Sequence, residues 1–263
     1  MKKCLALLLC TVLVLSLGGF TAKETAAVGN PAKIYREALD KSLQGDAVQV
    51  NTAIDTAMKA GGLTISLRTN ATIQMKGEGD RTQFSIVIST ALPDGEEKLG
   101  FYYKGGYLYL DGGPGAKLKV RAPMEAAGMI VNEFCTPTAP TDALKNATVK
   151  QVDGNTVITY KVGATELQAA AGDVLAALRD ALREEGLTNV KPLAITGSVT
   201  IDKDGRIAAD RAQVKFSAVV EGQTAVCTST MTSTYPAVGE DFAVQFPADL
   251  ASYQEMRDRK SVV

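Results

Sequence analysis

A long alternation of apolar and polar residues, from Leu63 to Lys76, constrains the fold of this chain more than any other feature. The odd-numbered positions carry Leu, Ile, Leu, Thr, Ala, Ile and Met, whereas the even-numbered positions carry Thr, Ser, Arg, Asn, Thr, Gln and Lys. Because successive side chains of a β-strand point to opposite faces, this pattern predicts a long strand with one apolar and one polar face. Such strands build an antiparallel sheet that is buried on one side.

The same alternation returns after short turns along most of the chain. Gly105-Gly106 and Asp153-Gly154 are two-residue turns of the kind that hairpins prefer. The further predicted strands are Phe84–Ile88, Lys98–Lys104, Tyr107–Leu110, Lys117–Arg121, Ala147–Val152, Thr156–Val162, Leu193–Lys203, Arg206–Glu221, Thr224–Tyr235 and Phe242–Phe246. We therefore expect about ten antiparallel strands, of which the first five form a meander before Pro123.

Helical patterns lie between these strands. Asn30-Pro31 is an N-cap followed by proline, which predicts a helix over Pro31–Leu43. Val48–Lys59 has Val50, Ala53, Ile54, Ala57 and Met58 on one helical face, so we predict a second helix there. Two further helices are predicted at Pro123–Phe134 and, after the capping box Thr165–Gln168, up to Gly186; Pro247–Met256 is either a terminal helix or an irregular tail.

These elements predict an α+β fold, in which one strongly curved antiparallel sheet forms a half-barrel and helices cover its concave apolar face. The loop Thr136–Thr141 is too short to separate two domains, so we expect residues 23–263 to form a single domain.

The amino terminus resembles a secretory signal peptide. Lys2 and Lys3 precede an apolar run from Leu5 to Leu17, which is shorter than the roughly 20 apolar residues that a transmembrane helix needs. We expect cleavage after residue 22 or as late as residue 27, which removes two lysines and leaves 26 basic against 29 acidic residues, a net charge of −3 instead of −1. Phe20 stands where a lipoprotein would carry cysteine, so we expect an extracytoplasmic protein, secreted or in the cell envelope of a bacterium, without a lipid anchor; an uncleaved anchor is the alternative.

The composition excludes several classes of function. The chain has no histidine, which removes Ser-His-Asp, Cys-His and HExxH mechanisms. Near-neutral charge gives no electrostatic basis for binding nucleic acid. No motif indicates a cofactor or a metal site, and no spacing singles out a pair of carboxylates for hydrolysis, so we expect no enzymatic activity.

Two cysteines, Cys135 and Cys227, remain outside the predicted signal peptide. An even number in an exported protein is compatible with one disulfide, and two buried thiols are the alternative.

Three smaller motifs have a structural and a functional interpretation. Asp202-Lys203-Asp204-Gly205 resembles the start of a calcium loop but lacks its later ligands, so a hairpin turn is favoured. The tyrosines of the meander could form a stacking platform for sugars, although strand tyrosines are ordinarily half-buried structural residues; they are Tyr102, Tyr103, Tyr107 and Tyr109. Lys117, Lys119 and Arg121 share one strand face that could contact acidic polymers or a membrane surface, and a solvated face is favoured.

The wide sheet and the alanine-rich helices together suggest an apolar cleft between them. Its predicted lining consists of apolar residues of the alternating strands and of the helix after Gln168. They are Ile65, Leu67, Ile73, Met75, Phe84, Ile86, Ile88, Val174, Leu178 and Phe216. A core filled by the protein's own side chains is the alternative.

The segment Phe101–Leu110, the strand Lys117–Lys119 and the helix start at Pro123 resemble exported proteins of Gram-positive bacteria with the LolA/LppX lipoprotein-carrier fold. The hairpin Ile201–Ile207 and Phe246–Asp249 before Tyr253 are similar to the end of the same pattern. The resemblance implies a cleft under a curved sheet that holds lipid or acyl chains, and it implies no common catalytic residues. The first hypothesis is thus a non-catalytic binding protein for a lipid or another apolar ligand, and the second is a structural or interaction protein of the cell envelope.

Overall fold

The computed structural model describes residues 30–43, 47–92, 95–113, 115–124, 144, 147–165, 187–220, 222–238 and 242–256. Within this part of the chain the protein contains helix α1 (Pro31–Leu43) and twelve strands. The strands are β1 (Ala47–Ala60), β2 (Leu63–Lys76), β3 (Gln83–Leu92), β4 (Gly95–Lys104), β5 (Tyr107–Asp111), β6 (Lys117–Arg121), β7 (Thr148–Val152), β8 (Asn155–Gly163), β9 (Leu187–Ile201), β10 (Ile207–Val220), β11 (Gln223–Val238) and β12 (Gln254–Glu255). Short 3-10 helices lie at Gly79–Arg81 and Leu250–Ser252.

All twelve strands belong to one sheet, in the order β12-β6-β5-β4-β3-β2-β1-β11-β10-β9-β8-β7. Strands β12 and β7 stand at the two ends of this order, so the described sheet is open. Neighbouring strands from β3 to β6 and from β7 to β11 are antiparallel, whereas β12 runs parallel to β6. The predicted antiparallel sheet is confirmed, with twelve strands instead of about ten. Its curvature and the helical cover of one face stay predictions.

The chain divides into two compact units. Unit 1 consists of residues 1–43, 52–69 and 136–234, and unit 2 consists of residues 44–51, 70–135 and 235–263. Strands β1, β2 and β11 each contribute residues to both units. The boundaries fall inside these strands and near the predicted Thr136–Thr141 loop; the interpretation of residues 23–263 as one domain stays a prediction.

Helix α1 has the predicted bounds, and its amino end is capped as the sequence indicates. The Ala32 N–H donates to Asn30 Oδ1 at 2.9 Å, which satisfies one of the backbone donors that a helix start leaves open. Tyr35 and Ala38 are buried on the inner side of the helix. Ser42 Oγ donates to Ala38 O and accepts from the Ile207 N–H, both at 2.8 Å, and so joins α1 to the start of β10 in unit 1.

The predicted helix at Val48–Lys59 is wrong, because this segment is strand β1. Its even-numbered side chains from Val48 to Met58 are all buried, which is the period of a strand. Two of the buried side chains are threonines, Thr52 and Thr56, and their hydroxyls bond to serines of β11. Because the sequence shows these threonines as polar interruptions, the spacing of Ala53, Ile54 and Ala57 resembled a helical face.

The predicted closing strand at Phe242–Phe246 is also wrong, since these residues are in neither a helix nor a strand. The last strand lies later, at Gln254–Glu255, in the segment for which a helix or an irregular tail was predicted. A two-residue strand leaves no periodicity to detect. The meander before Pro123 has six strands because β1 adds one to the predicted five.

The other strand predictions are confirmed, with bounds exact for β2 and β6 and shifted by one to three residues for most others. Strand β9 begins at Leu187, earlier than the predicted Leu193. The turn residues Gly105 and Gly106 have φ of 61° and 79°, and Asp153 and Gly154 have φ of 50° and 79°, as a type I′ hairpin turn requires. The predicted helix after Pro123 and the one ending at Gly186 lie, apart from their first residues, outside the described residues, as do residues 1–29. Among the described helices none is long and apolar enough to cross a membrane.

Candidate functional site

The apolar face of unit 2 contains a compact core built from β1, β2, β3 and β4. Its buried members are Val48, Val50, Ile73, Phe84, Ile86 and Tyr103. Phe84 and Tyr103 are paired across β3 and β4, and their rings stack with centroids 5.7 Å apart. The Tyr103 hydroxyl donates to Ala122 O at 3.3 Å, so the one polar atom of this ring has a partner. Three of the ten predicted cleft residues, Ile73, Phe84 and Ile86, therefore belong to a filled core.

Around this core the same face continues as a fringe of half-buried apolar side chains. Ile88 and Met75, which the sequence placed in the cleft, belong to this fringe together with Phe101 and Leu108. Toward the edge of the sheet, Leu99 pairs with Ile88 and is 39% exposed. The remaining half-buried members on β5 and β6 are Leu110, Leu118 and Val120. We call the half-buried members of this set the apolar fringe, and the exposed Leu99 adjoins it. The fringe consists of Met75, Ile88, Phe101, Leu108, Leu110, Leu118 and Val120.

The other predicted cleft residues lie in unit 1 or outside the described part. Leu67 and Phe216 are buried and Ile65 is half-buried, all in unit 1. Val174 and Leu178 lie outside the described residues. Cys227 is fully buried on β11 and Cys135 is outside the described residues, so the disulfide stays a prediction.

The buried face of unit 1 contains polar groups that bond to one another. Thr52 and Ser233 hydroxyls are 3.0 Å apart, and Thr56 and Ser229 hydroxyls are 2.8 Å apart. A buried hydroxyl costs free energy unless it is hydrogen-bonded, so the pairs make this face possible.

A buried tyrosine and a buried aspartate add to the polar content of unit 1. Burial raises the pKa of Tyr160, and the nearby Asp210 carboxyl raises it further. The Tyr160 ring lies against Gly197 of β9, where any larger residue would collide with it. This close approach explains a glycine in the middle of a long strand.

The polar face of unit 2 is covered by the carboxy-terminal segment, residues 242–256. Tyr253 is buried, with its ring edge-on to Tyr109 at 5.6 Å, and its hydroxyl donates to Asp111 Oδ2 at 2.8 Å. Burial raises the pKa of Tyr253, and the hydrogen bond to Asp111 adds to the effect. Phe246 packs against Tyr102 at 6.4 Å.

An exposed ion pair also holds this segment. Lys117 Nζ donates to Asp249 Oδ2 at 2.6 Å and lies 3.6 Å from Asp111 Oδ2. The hydrogen bond to Asp249 raises the pKa of Lys117 and lowers the pKa of Asp249. Lys119 Nζ lies 5.7 Å from the centre of the Tyr107 ring. The basic strand face that was considered for outside partners is thus engaged, at two of its three residues, by the protein itself.

The four tyrosines do not form one platform. Tyr103 belongs to the apolar core, and Tyr102 is buried against Phe246 on the opposite face. Tyr107 and Tyr109 are half-buried neighbours with ring centroids 6.3 Å apart, and each ring also packs on other residues. A sugar platform made of all four side chains is therefore wrong.

The Asp202–Gly205 segment is the turn between β9 and β10, as favoured from its sequence. Asp202 Oδ1 accepts from the N–H groups of Asp204 and Arg206, each at 2.9 Å. This carboxylate is used to close the turn. Among the described residues no group of three or more Cys, Asp or Glu side chains is arranged to hold a metal ion.

A pocket that the sequence did not indicate lies on the polar face of unit 2. Its volume is about 960 Å³. Three of its residues stand at strand ends: Lys76 ends β2, Gln83 begins β3 and Lys104 ends β4. The adjacent residue on each strand belongs to the apolar core or fringe, so these three side chains lie on the opposite, polar face. The described lining is Lys76, Gly77, Glu78, Arg81, Gln83, Lys104, Phe242, Ala243, Val244 and Phe246. The alternation of the sequence places the lysines on the polar face. It also predicts a strand at residues 242–246, so it does not indicate that these residues line a pocket with the lysines.

No protein-family model matches the chain, and no curated protein matches it. Among solved structures it is similar to a LolA superfamily protein from Nitrosomonas europaea, at 12% identity over 85% of this chain and 96% of that chain, with a TM-score of 0.23. A putative outer membrane lipoprotein-sorting protein domain from Vibrio parahaemolyticus is similar at 9% identity, over 80% of this chain and 94% of that one, with a TM-score of 0.23. Lipovitellin is similar at 10% identity and a TM-score of 0.37, where 77% of this chain corresponds to 26% of that chain. The first of these structures carries the name of the family that the sequence resembles.

Proposed function

We propose that this protein is an exported, non-catalytic binding protein that holds a lipid or another apolar ligand on the apolar face of unit 2. The observation that supports this most is the apolar fringe, where a filled core gives way to half-buried side chains on β3 to β6 and to a leucine that is 39% exposed. Isolated exposed apolar residues are ordinary, whereas contiguous ones mark binding surfaces.

Strand register makes the fringe contiguous. Phe101 is paired with Leu110, and Leu110 is paired with Leu118 on the next strand. Paired side chains on one face of antiparallel strands lie about 5 Å apart, so this row forms one apolar strip across three strands. An extended acyl chain is a ligand whose shape matches such a strip.

The remaining parts of the proposal rest on the sequence. Absence of histidine removes the commonest general base, which favours binding over catalysis. The signal-peptide pattern in residues 1–22 favours a location outside the cytoplasm, in the cell envelope or secreted. The resemblance to LolA/LppX carriers implies the same ligand class.

Extraction of the purified protein with organic solvent, followed by mass spectrometry, tests whether it carries lipid. We expect a co-purifying lipid or, after delipidation, saturable binding of a fluorescent fatty acid. Neither lipid nor saturable binding would refute the proposal.

Leu99→Glu and Leu63→Glu form a matched pair that localises the site. Both leucines are exposed strand residues, at 39% and 58%, so both variants should fold. Leu99 adjoins the fringe whereas Leu63 begins β2 in unit 1. We expect Leu99→Glu to weaken fatty-acid binding by about tenfold, because the bound acyl chain would strip water from the new carboxylate, and Leu63→Glu to leave binding unchanged. Equal effects of the two substitutions would contradict the assignment to this face.

The second candidate, a structural or interaction protein, is favoured by the stacked Phe84 and Tyr103 rings and the other side chains that fill the core themselves. It predicts that neither lipid nor fatty acid binds.

A further inference from the structure

We propose that the pocket on the polar face of unit 2 binds an organic phosphate, that is, a phosphate group attached to an apolar or aromatic portion. This is a second site, on the face of the sheet opposite to the apolar fringe, and it does not depend on the fringe binding lipid. The phosphate could belong to a lipid headgroup or to a soluble molecule, and the experiment below separates these sources.

Charge is the first observation behind this inference. Among the described lining residues Lys76, Arg81 and Lys104 are cationic, and Glu78 is the one carboxylate. At neutral pH a phosphate monoester carries close to two negative charges and a phosphodiester, as in a phosphatidylglycerol headgroup, carries one, and both are complementary to this excess of cations. Arginine provides a planar fork of donors for phosphate oxygens, and lysine provides point charges.

Two of the cations are held in position by the carboxy-terminal segment. Lys76 Nζ donates to the Phe242 carbonyl oxygen at 3.1 Å. Lys104 Nζ lies 4.8 Å from the centre of the Phe246 ring, within the range of a cation–π contact. Positioned charges bind an anion at a smaller entropic cost than freely moving ones.

The turn between β2 and β3 brings Arg81 to the same opening. Gly77 has φ of 93°, and a β-carbon there would lie 2.6 Å from the Arg81 carbonyl oxygen. Only glycine allows the chain to turn this tightly. Thr82 Oγ1 donates to Gly77 O at 3.3 Å and closes the turn around the arginine.

Apolar side chains also line the pocket, which a site for inorganic phosphate alone would not need. Phe242, Val244 and Phe246 lie beside the cations, and all three are half-buried. The volume of about 960 Å³ is that of a typical small-molecule site. Cations beside apolar side chains are complementary to an amphiphilic phosphate.

Titration calorimetry with phenyl phosphate and inorganic phosphate tests the soluble form of the ligand, and sedimentation with phosphatidylcholine vesicles, with or without phosphatidylglycerol, tests the lipid form. Arg81→Gln and Lys104→Gln each remove one exposed lining charge. Arg211→Gln and Lys215→Gln are the matched controls, because they remove the same charges from exposed positions on β10 in unit 1. Thermal unfolding of each variant checks that it folds.

We expect phenyl phosphate to bind saturably and more tightly than inorganic phosphate, or vesicles to bind only when they contain phosphatidylglycerol. Phenyl phosphate binding alone identifies a soluble ligand, and vesicle binding alone identifies a headgroup; both outcomes support the site. We expect Arg81→Gln and Lys104→Gln to weaken that binding by about tenfold each and the controls to leave it unchanged. The inference would be overturned if neither phenyl phosphate nor the phosphatidylglycerol vesicles bind, or if the control variants lose as much affinity as the pocket variants. Inorganic phosphate that binds as tightly as phenyl phosphate would also overturn it. The Leu99→Glu variant should bind phenyl phosphate normally, which separates this result from the fatty-acid test.

Discussion

The two units use one type of strand but fill their buried faces differently. In unit 1 that face includes hydroxyls and a carboxylate, of Thr52, Thr56 and Asp210, among its apolar side chains. In unit 2 the buried hydroxyl of Thr90 shares the face with a larger aliphatic and aromatic cluster around Phe84, which continues into the half-buried fringe. Buried polar groups need specific partners, whereas an apolar surface accepts any apolar neighbour. The comparison indicates that unit 1 specifies its own packing and that unit 2 has the surface better suited to a ligand.

The largest expected effect separates the core of unit 2 from its fringe. Phe84 is fully buried, so Phe84→Ala should lower the free energy of unfolding by about 3–5 kcal/mol through lost burial and a cavity. Phe101, on the paired strand, is half-buried, and Phe101→Ala should cost clearly less. Denaturant unfolding of both variants measures the difference. Equal losses would show that the fringe is part of the core.

A smaller effect tests the polar pairs of unit 1. Thr56→Val leaves the buried Ser229 hydroxyl without the partner that it has at 2.8 Å, so we expect a loss of about 1–3 kcal/mol. Replacing both partners, in Thr56→Val with Ser229→Ala, should recover most of that loss because no orphaned hydroxyl remains. Denaturant unfolding of the two single variants and the double variant measures the coupling. If the double variant loses as much free energy of unfolding as the two single variants together, the two hydroxyls do not depend on each other.

The smallest effect concerns the exposed ion pair between Lys117 and Asp249. The pKa of Asp249 is lowered below its ordinary 3.8 in the folded protein, so its contribution to stability is present above that value and is lost as pH falls through the folded pKa. Asp249→Asn should therefore be slightly less stable than the unsubstituted protein at neutral pH, and the difference should vanish in stronger acid. Thermal unfolding across this pH range measures it. A difference that persists at the lowest pH would show that the ion pair is not its cause.

Sequence was informative where local alternation decides the structure and uninformative where a distant partner does. The bounds of β2 are predicted exactly because its polar and apolar residues alternate along the whole strand, with Thr69 as the one exception. The local pattern of β1 predicts a helix instead of a strand, because its buried threonines are satisfied by serines 181 and 173 positions away, which no local pattern shows.

The same distinction applies to the candidate sites. Ile73, Phe84 and Ile86 lie together on the apolar face, to which the alternation of the sequence assigns them; their role as the lining of a cleft stays a prediction. Which of them are core and which are fringe depends on the neighbouring strands, so the prediction did not separate Phe84 from Ile88. The pocket depends on where residues 242–246 lie, and that position is fixed by contacts of Phe246 with Tyr102 and Lys104.

The most direct test of ligand binding on unit 2 is cross-linking with a photoreactive fatty acid, followed by mass spectrometric identification of the labelled peptides. The fringe account predicts labels on β4, β5 and β6, over residues 95–121, and their loss when unlabelled fatty acid is added in excess. Labels confined to β9 and β10, which lie wholly in unit 1, or labels that excess fatty acid does not displace, would contradict it.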